Sequence, residues 1–452
     1  MKTFDGQRVI VVGLGASGVS AARALAKQGA KVRVTEAVRS PAIEARAQEL
    51  DALGVDVEVG GHDLGHLDAD LAILSPGIPP SAPVVAALRA ARVPVISEVE
   101  LAARLARCDL LAVTGTNGKT TTTSLLAALL EAGGISSVAA GNIGLPLIDA
   151  IDDVPPSGAI AAEVSSFQLA TIETFHPRVA IVLNIAEDHT DWHGSIDDYA
   201  TAKERITMNQ TADDHLVLSA TDARVRSIAE RTSARVTFFS ADPGIPADAR
   251  YDGRSLIWHD KELITTDALQ LSGRGGIEDA LAAGAAALCY GIDPSAVVDA
   301  LRGFRPLRHR LEVVEVHDDV TYIDDSKATN PHATLAALAD LHDVVLIAGG
   351  RSKGIDLGVL RDTVPPVIAV VALGEATNEI VRIFDGVVPV MRASDMPDAV
   401  ALAAHHAVSG GSVLLSPACA SLDMYASYAE RGEHFQRSVR ALVRRGRVDG
   451  DA

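Results

Sequence analysis

Leu110-Leu111-Ala112-Val113-Thr114-Gly115-Thr116-Asn117-Gly118-Lys119-Thr120-Thr121 is an apolar run that breaks into a glycine-punctuated turn and leaves it on a lysine and two threonines. The apolar part is short, as a buried strand of a parallel sheet is. A glycine turn directly after such a strand lets backbone N–H groups converge on a small anionic volume. Lys119 can then neutralise phosphate charge and Thr120 can offer a hydroxyl to Mg²⁺. The segment is not a strict Walker A, because Val113 stands where the first glycine belongs and Gly115 begins a shorter Gly-x-x-Gly-Lys-Thr. It reads as an ATP cradle formed by Gly115, Thr116, Asn117, Gly118, Lys119, Thr120 and Thr121.

A second glycine turn lies upstream. Gly13-Leu14-Gly15-Ala16-Ser17-Gly18 matches G-x-G-x-x-G between an expected strand at 8–12 and an expected helix at 19–28. Its glycines allow the backbone to approach a diphosphate. Glu36, at the end of the next expected strand, stands where a ribose-binding acid belongs. Two nucleotide loops are redundant in a simple dehydrogenase. They make sense if one domain holds a nucleotide-tagged substrate and the next holds ATP. A nicotinamide-dependent oxidoreductase is the alternative that the first loop keeps open.

Outward from these loops, short β-branched runs alternate with Ala-rich helical stretches, the pattern of parallel α/β domains. At 452 residues the chain exceeds what one core supports. Three domains are expected: a Rossmann-like domain over 1–97, a central ATP-binding domain over 98–304 and a Rossmann-like domain over 305–452. Strands are expected at 31–35, 71–74, 94–97, 110–114, 159–164, 179–184, 215–219, 344–349, 367–374 and 412–416. Helices are expected at 98–107 and 277–290, with a basic helix at the C-terminus. The stretch 235–272 reads as an antiparallel patch without helices. A formal charge of −19 argues against a nucleic-acid partner, although a local site can still be basic. Three widely spaced cysteines, Cys108, Cys289 and Cys419, fit a reducing compartment. No run approaches the ~18 apolar residues of a spanning helix, and no signal core opens the chain. A cytoplasmic monomer without membrane insertion is expected.

Several further segments occur in order: Ser75-Pro76-Gly77-Ile78, Gly141-Asn142-Ile143-Gly144, Glu163-Val164-Ser165-Ser166-Phe167-Gln168-Leu169, Asn184-Ile185-Ala186-Glu187-Asp188-His189, Asp325-Ser326-Lys327-Ala328-Thr329-Asn330 and Ser416-Pro417-Ala418-Cys419-Ala420-Ser421-Leu422-Asp423. Together with Thr114-Gly115-Thr116-Asn117-Gly118-Lys119-Thr120, they resemble the Mur ligases, and within that family the branch that adds D-glutamate. The resemblance covers almost the whole chain. It implies ATP-dependent ligation of D-glutamate to UDP-N-acetylmuramoyl-L-alanine through an acyl phosphate, with ATP and Mg²⁺. By the same resemblance Lys119 and Thr120 serve the phosphates and one Mg²⁺, which Glu163 also ligates, and His189 ligates a second. Lys203 matches a lysine carbamylated in this family, a change from cation to anion that supports magnesium. Arg310 and Asp325 match positions near the ATP ribose and phosphates. Lys327, Thr329, Lys353, Ser421, Leu422 and Tyr428 match the D-glutamate pocket, where two lysines suit a dicarboxylate. Leu14, Ala16, Ser17, Glu36, Ser75, Gly77 and Asn142 match the uridine-diphosphate end.

The chain departs from the family pattern at Gly273-Arg274-Gly275-Gly276-Ile277-Glu278-Asp279. The family reads Gly-x-His-Asn-x-x-Asn there, and its asparagines help bind the adenine nucleotide. Gly276 supplies no side-chain donor, and Asp279 keeps an acceptor but loses the amide. Ala37-Val38, Arg308 and Tyr428 are smaller departures. A non-catalytic nucleotide-binding relative is the reading these departures keep open.

Overall fold

A computed structural model describes the chain apart from residues 1–3, 64–67, 272, 306, 340, 353–354 and 451–452, and apart from the side chains of 191 and 445–450. Each of three sheets forms around strands whose residues are almost all apolar. Leu71–Leu74, Val179–Val182 and Val344–Gly349 are buried along their whole length, as strands covered by helices on both faces must be.

The first sheet has the order Asp56–Val59, Lys31–Glu36, Arg8–Val12, Leu71–Leu74, Val95–Ser97, and every pairing is parallel. Chain order reverses between Arg8–Val12 and Leu71–Leu74. Ligands of open α/β sheets bind beyond the carboxyl ends of strands at such a reversal. The helix after the first strand begins at Ala16, earlier than the sequence suggests, because extended Gly15 already serves as its N-cap.

The second sheet has nine strands, with Asp109–Thr114 between Ala159–Glu163 and Val179–Val182. The stretch 235–272 is only partly antiparallel. Arg235–Ser240 pairs parallel to both His215–Ser219 and Ala249–Tyr251, and the antiparallel part is Ala249–Tyr251, Ser255–Trp258 and Lys261–Thr265. A single 3-10 turn, Thr266–Ala268, follows. The next helix spans Gly273–Tyr290, beginning before the expected 277 and so including Gly273, Gly275 and Gly276. Its alanine-rich buried stretch from Asp279 to Ala287 drives the packing, and the glycines extend the first turn at some cost in propensity.

The third sheet runs Glu312–His317, Val320–Asp324, Ser412–Leu415, Val344–Gly349, Val367–Leu373, Val390–Arg392. All its pairs are parallel except the hairpin at the Glu312–His317 edge. The long helix Tyr428–Gly450 closes the chain.

The chain forms two compact units. One comprises Met1–Ile185, Asp197–Leu269 and Glu278–Phe304, and the other comprises Ala186–Ile196, Gln270–Ile277 and Arg305–Ala452. No described helix is long and apolar enough to cross a membrane.

Candidate active site

In the first unit, the turn after Asp109–Thr114 is braced by Asn184. Its carbonyl accepts from Thr116 N at 2.9 Å, its Oδ1 accepts from Asn117 N at 2.8 Å, and its Nδ2 donates to Asn117 O at 3.2 Å. Gly118 caps helix Lys119–Ala132 at a φ of 85°, where a β-carbon would fall 2.4 Å from Asp279 Oδ1. Only glycine fits that point. Lys119 Nζ donates to Gly115 O at 2.9 Å and Thr116 O at 2.8 Å, which holds the ammonium over the turn. Thr120 and Thr121 are buried in the first turn of the helix, whose N-terminus favours anions.

Glu163 ends the neighbouring strand and is buried. Gly141, with a φ of 101°, approaches so closely that a β-carbon would lie 2.2 Å from Glu163 O. This approach lets Asn142 donate from its backbone N to Glu163 O at 2.9 Å and from Nδ2 to Glu163 Oε1 at 3.3 Å. The other carboxylate oxygen, Oε2, is buried and accepts no hydrogen bond. Such an orphan costs free energy unless a donor or cation meets it.

Lys203, near the end of helix Ile196–Glu204, is 1% exposed. Its Nζ donates to Gly115 O at 2.7 Å and lies 4.6 Å from the centre of the Tyr199 ring. The Tyr199 hydroxyl is 3.1 Å from Thr116 Oγ1. The structure therefore brings Lys119, Lys203 and Tyr199 to the one glycine turn, at Gly115 and Thr116. Tyr199 carries a sequence signal in its i, i+4 relation to Lys203, whereas Asn184 carries none beyond its motif.

Gly273–Asp279, where the sequence departs from the family pattern, forms the start of helix Gly273–Tyr290. Gly276 lies in the first turn of its helix, where a β-carbon would come 3.1 Å from Leu271 Cβ. Asp279 is buried and accepts from Thr122 Oγ1 at 2.8 Å.

The upstream cradle sits at the switch point of the first sheet. Leu14 N donates to Glu36 Oε2 at 2.8 Å and Val38 N to Glu36 Oε1 at 2.9 Å, so Glu36 binds the backbone of the turns that flank it. Ser75 Oγ donates to Gly13 O at 3.4 Å. Ala16 and Ser17 open helix Ala16–Lys27, and Gly77 follows Ser75 in a turn closed by Ile78 N donating to Ser75 O at 3.1 Å.

The remaining expected residues belong to the second unit, except for Lys353, which lies outside the described residues. His189 adopts a left-handed conformation with a φ of 53°, and its Nε2 is 3.6 Å from Asp188 Oδ2, which Asn330 Nδ2 also contacts at 3.2 Å. Asp325 is buried and accepts from Ser416 Oγ at 2.8 Å. Burial pushes its carboxyl up to about 7, against the opposing pull of Ser416 and Arg310. Arg310 has a buried Nε with no hydrogen-bond partner. Lys327 Nζ lies 5.0 Å from the centre of the Tyr428 ring. Thr329 is half-buried, Ser421 buried and Leu422 exposed.

Arg431, which no motif singles out, is buried and donates to Ser326 Oγ, Ser326 O and Cys419 O at 2.9, 2.8 and 3.0 Å. It clamps the Asp325-Ser326-Lys327 loop to the Ser416–Ser421 stretch. Burial lowers its pKa to about 10. His309, Glu312 and Asp324 come close enough to suggest a metal cluster. However, His309 Nδ1 is 2.7 Å from Asp324 Oδ2, which also accepts from Gln436 Nε2 at 2.9 Å, and Glu312 Oε2 accepts from His309 N at 2.8 Å, so hydrogen bonds already engage all three groups.

Three family models match the chain: the Mur ligase MurD-like N-terminal domain over residues 7–97, the Mur ligase middle domain over 113–287, and the Mur ligase glutamate ligase domain over 309–419. The UDP-N-acetylmuramoylalanine–D-glutamate ligase of Frankia casuarinae is 44% identical over 449 residues, covering 97% of this chain and 95% of the relative. The ligase of the same name from Pelotomaculum thermopropionicum is 40% identical, covering 98% and 99%. Among solved structures, UDP-N-acetylmuramate–alanine ligase MurC from Thermotoga maritima shares the fold with a TM-score of 0.61 at 20% identity, covering 96% of this chain and 99% of that one. MurF ligase from Thermotoga maritima, solved with ADP, has a TM-score of 0.60 at 18% identity and covers 91% and 95%. With one sheet answering to each of the three domain models and relatives this similar from end to end, the chain belongs to the Mur ligase family.

Proposed function

We infer that this chain joins D-glutamate to UDP-N-acetylmuramoyl-L-alanine at the expense of ATP, forming a peptidoglycan precursor, ADP and phosphate. The observation that carries the reading is the phosphate turn itself, with Lys119 and Lys203 on one carbonyl, that of Gly115, in a chain similar from end to end to relatives named as D-glutamate ligases. The departure at Gly273–Asp279 does not favour a non-catalytic reading, because Asp279 is anchored beneath the turn.

A free carboxylate resists amine attack, since its charge repels the nucleophile and oxide leaves poorly. Transfer of the γ-phosphoryl group to the carboxylate of the substrate's alanine supplies phosphate as leaving group. The glutamate nitrogen then forms the amide as the C–O bond to phosphate breaks, and its surplus proton passes to solvent or a nearby base. The turn's backbone N–H groups and Lys119 orient the triphosphate and offset its charge. Glu163 Oε2, buried and without a hydrogen bond, fits a cation ligand, and the Thr120 hydroxyl would complete a hard oxygen site for Mg²⁺. When bound, that ion neutralises charge building on the transferred group. By resemblance to the family, His189 would hold a second Mg²⁺ and Lys203 would act as a carbamate. Arg310 and Asp325 serve the nucleotide, and Lys327, Thr329, Lys353, Ser421, Leu422 and Tyr428 serve the amino acid. Leu14, Ala16, Ser17, Glu36, Ser75, Gly77 and Asn142 serve the uridine substrate. We assign these tasks to a uridine-substrate domain over 1–97, an ATP domain over 98–304 and an amino-acid domain over 305–452, in a cytoplasmic monomer.

A coupled assay tests the reading. ADP release should require both UDP-N-acetylmuramoyl-L-alanine and D-glutamate. Release with L-alanine or a diamino acid in place of D-glutamate would reassign the chain to another branch of the family. Tight binding of reduced nicotinamide in place of the uridine substrate would return it to the oxidoreductases.

A further inference from the structure

Glu98 is 1% exposed, and its hydrogen-bond partners Leu147, Ile148 and Gln168 have no role assigned above toward substrate or metal. It opens helix Glu98–Leu105, directly after the last strand of the first sheet. One carboxylate oxygen, Oε1, accepts from Leu147 N at 3.2 Å, with Ile148 N as a further donor. The other, Oε2, accepts from Gln168 Nε2 at 3.1 Å. Gln168 in turn uses its Oε1 to accept from Ser165 N at 2.8 Å and Ser165 Oγ at 2.9 Å.

These two contacts reach the two loops that flank Glu163. Leu147 ends the loop that begins at Gly141 and Asn142, which contact Glu163 directly. Ser165 lies two residues beyond Glu163 in the chain. We propose that Glu98 is a positioning residue for the ligation reaction, tying the Gly141–Leu147 and Glu163–Gln168 loops together so that the Glu163 carboxylate is held ready for its cation. This inference rests on the role given to Glu163 above.

The tie is costly. Burial pushes the Glu98 carboxyl up to about 7, with Asp149 adding to the rise and Gln168, Leu147 and Ile148 opposing it. An apolar side chain would fill the space without that cost, and buried ionisable groups kept at a cost fix a particular geometry in several known systems. Supporting partners of a metal ligand affect metal affinity about 10–100-fold when removed.

The donors on opposite oxygens make the test specific. In Glu98→Gln one oxygen becomes an NH₂ that must face an N–H. Direct titration of bound Mg²⁺ in the presence of a non-hydrolysable ATP analogue, alongside rates of ADP release over a Mg²⁺ series, should show the half-saturating Mg²⁺ raised about 10-fold or more, with the KM for the uridine substrate within about twofold of wild type. Exchanging the groups in the double variant Glu98→Gln/Gln168→Glu restores complementarity, because the new amide donates to the new carboxylate while Leu147 N and Ser165 N keep acceptors. It should recover most of the Mg²⁺ dependence, which a merely space-filling role would not predict. Gln168→Met removes the same tie without introducing facing donors, so it reports even if Glu98→Gln folds poorly, and it should show the same Mg²⁺ shift. Wild-type Mg²⁺ dependence in either single variant, or a double variant no better than Glu98→Gln, overturns the proposal. Failure of the underlying site reading looks different: wild-type protein then shows no Mg²⁺-dependent ADP release at all, and the inference falls with it.

Discussion

Replacing Lys203 separates its packing role from its chemistry. The side chain is 1% exposed and its ammonium donates to Gly115 O at 2.7 Å over the Tyr199 ring. Lys203→Ala removes a long buried stem, a change that costs about 2–5 kcal/mol in a core that cannot collapse. Loss of a charged hydrogen bond adds about 1.5–3 kcal/mol, partly offset because one buried charge no longer has to be desolvated. A net loss of about 2–4 kcal/mol should lower the melting temperature by several degrees. Lys203→Arg keeps a cation that can reach Gly115 O but cannot form a carbamate. Both variants should lose most ADP release, about 100-fold or more if an oriented charge in the phosphate site is lost. Only Lys203→Ala leaves room for a small carboxylate to stand in, so acetate or propionate should partly restore its rate and do nothing for Lys203→Arg. An arginine variant at wild-type rate would refute the argument, because no anion would then be needed at that point.

Thr120→Val, which keeps shape and removes the hydroxyl, should raise the KM for Mg²⁺-ATP about 10-fold or more and leave the uridine-substrate KM near wild type; equal losses in both would indicate misfolding. Gly141→Ala places a β-carbon 2.2 Å from Glu163 O at a φ of 101°, so a loss of about 1–3 kcal/mol in chemical denaturation is expected from backbone strain alone, with Mg²⁺ dependence impaired; an unchanged midpoint would show that the loops can part freely. Asp325 carries a carboxyl pushed up to about 7 by burial, above its unfolded value, so the stability it contributes is complete below the ordinary carboxylate range and is lost as pH rises through about 7. Asp325→Asn should therefore flatten the stability profile between about pH 4 and 7, by at most ~4 kcal/mol, and a profile parallel to wild type would contradict this.

The elements legible in the sequence are those whose local pattern and final environment agree. Arg8–Val12, Leu71–Leu74 and His215–Ser219 have the boundaries that their apolar runs suggest, because strands covered on both faces read as unbroken apolar stretches. Edge strands do not. Glu312–His317 leaves Val313 and Val316 exposed and shifts register at a bulge, so neither alternation nor a continuous run marks it. Asp56–Val59 is polar at two of four positions and lies at the other kind of edge, the end of a parallel sheet. The turn before helix Lys119–Ala132 was legible because its glycine pattern is local. The approach of Tyr199 and Lys203 to that turn spans 83 and 88 residues of chain, and Arg431 reaches Ser326 across 105. Separations of that size leave no periodic trace in the sequence.

Charge at the phosphate turn shows why these distant partners matter together. Lys119 and Lys203 supply two positive charges there, and Glu163 and buried Asp279 supply two negative ones, so the protein's own groups sum to zero. A triphosphate adds roughly four negative charges, of which one divalent cation offsets two. Carbamylation would move Lys203 from positive to negative and deepen the deficit by two, the amount that a second divalent cation returns. An unmodified lysine at the turn would instead repel a divalent cation bound there. That repulsion predicts that the Lys203→Arg variant, with its permanent cation, takes up Mg²⁺ less tightly than wild type, a difference that direct titration of bound metal in the presence of a non-hydrolysable ATP analogue would register; equal affinity in the two proteins would break the argument.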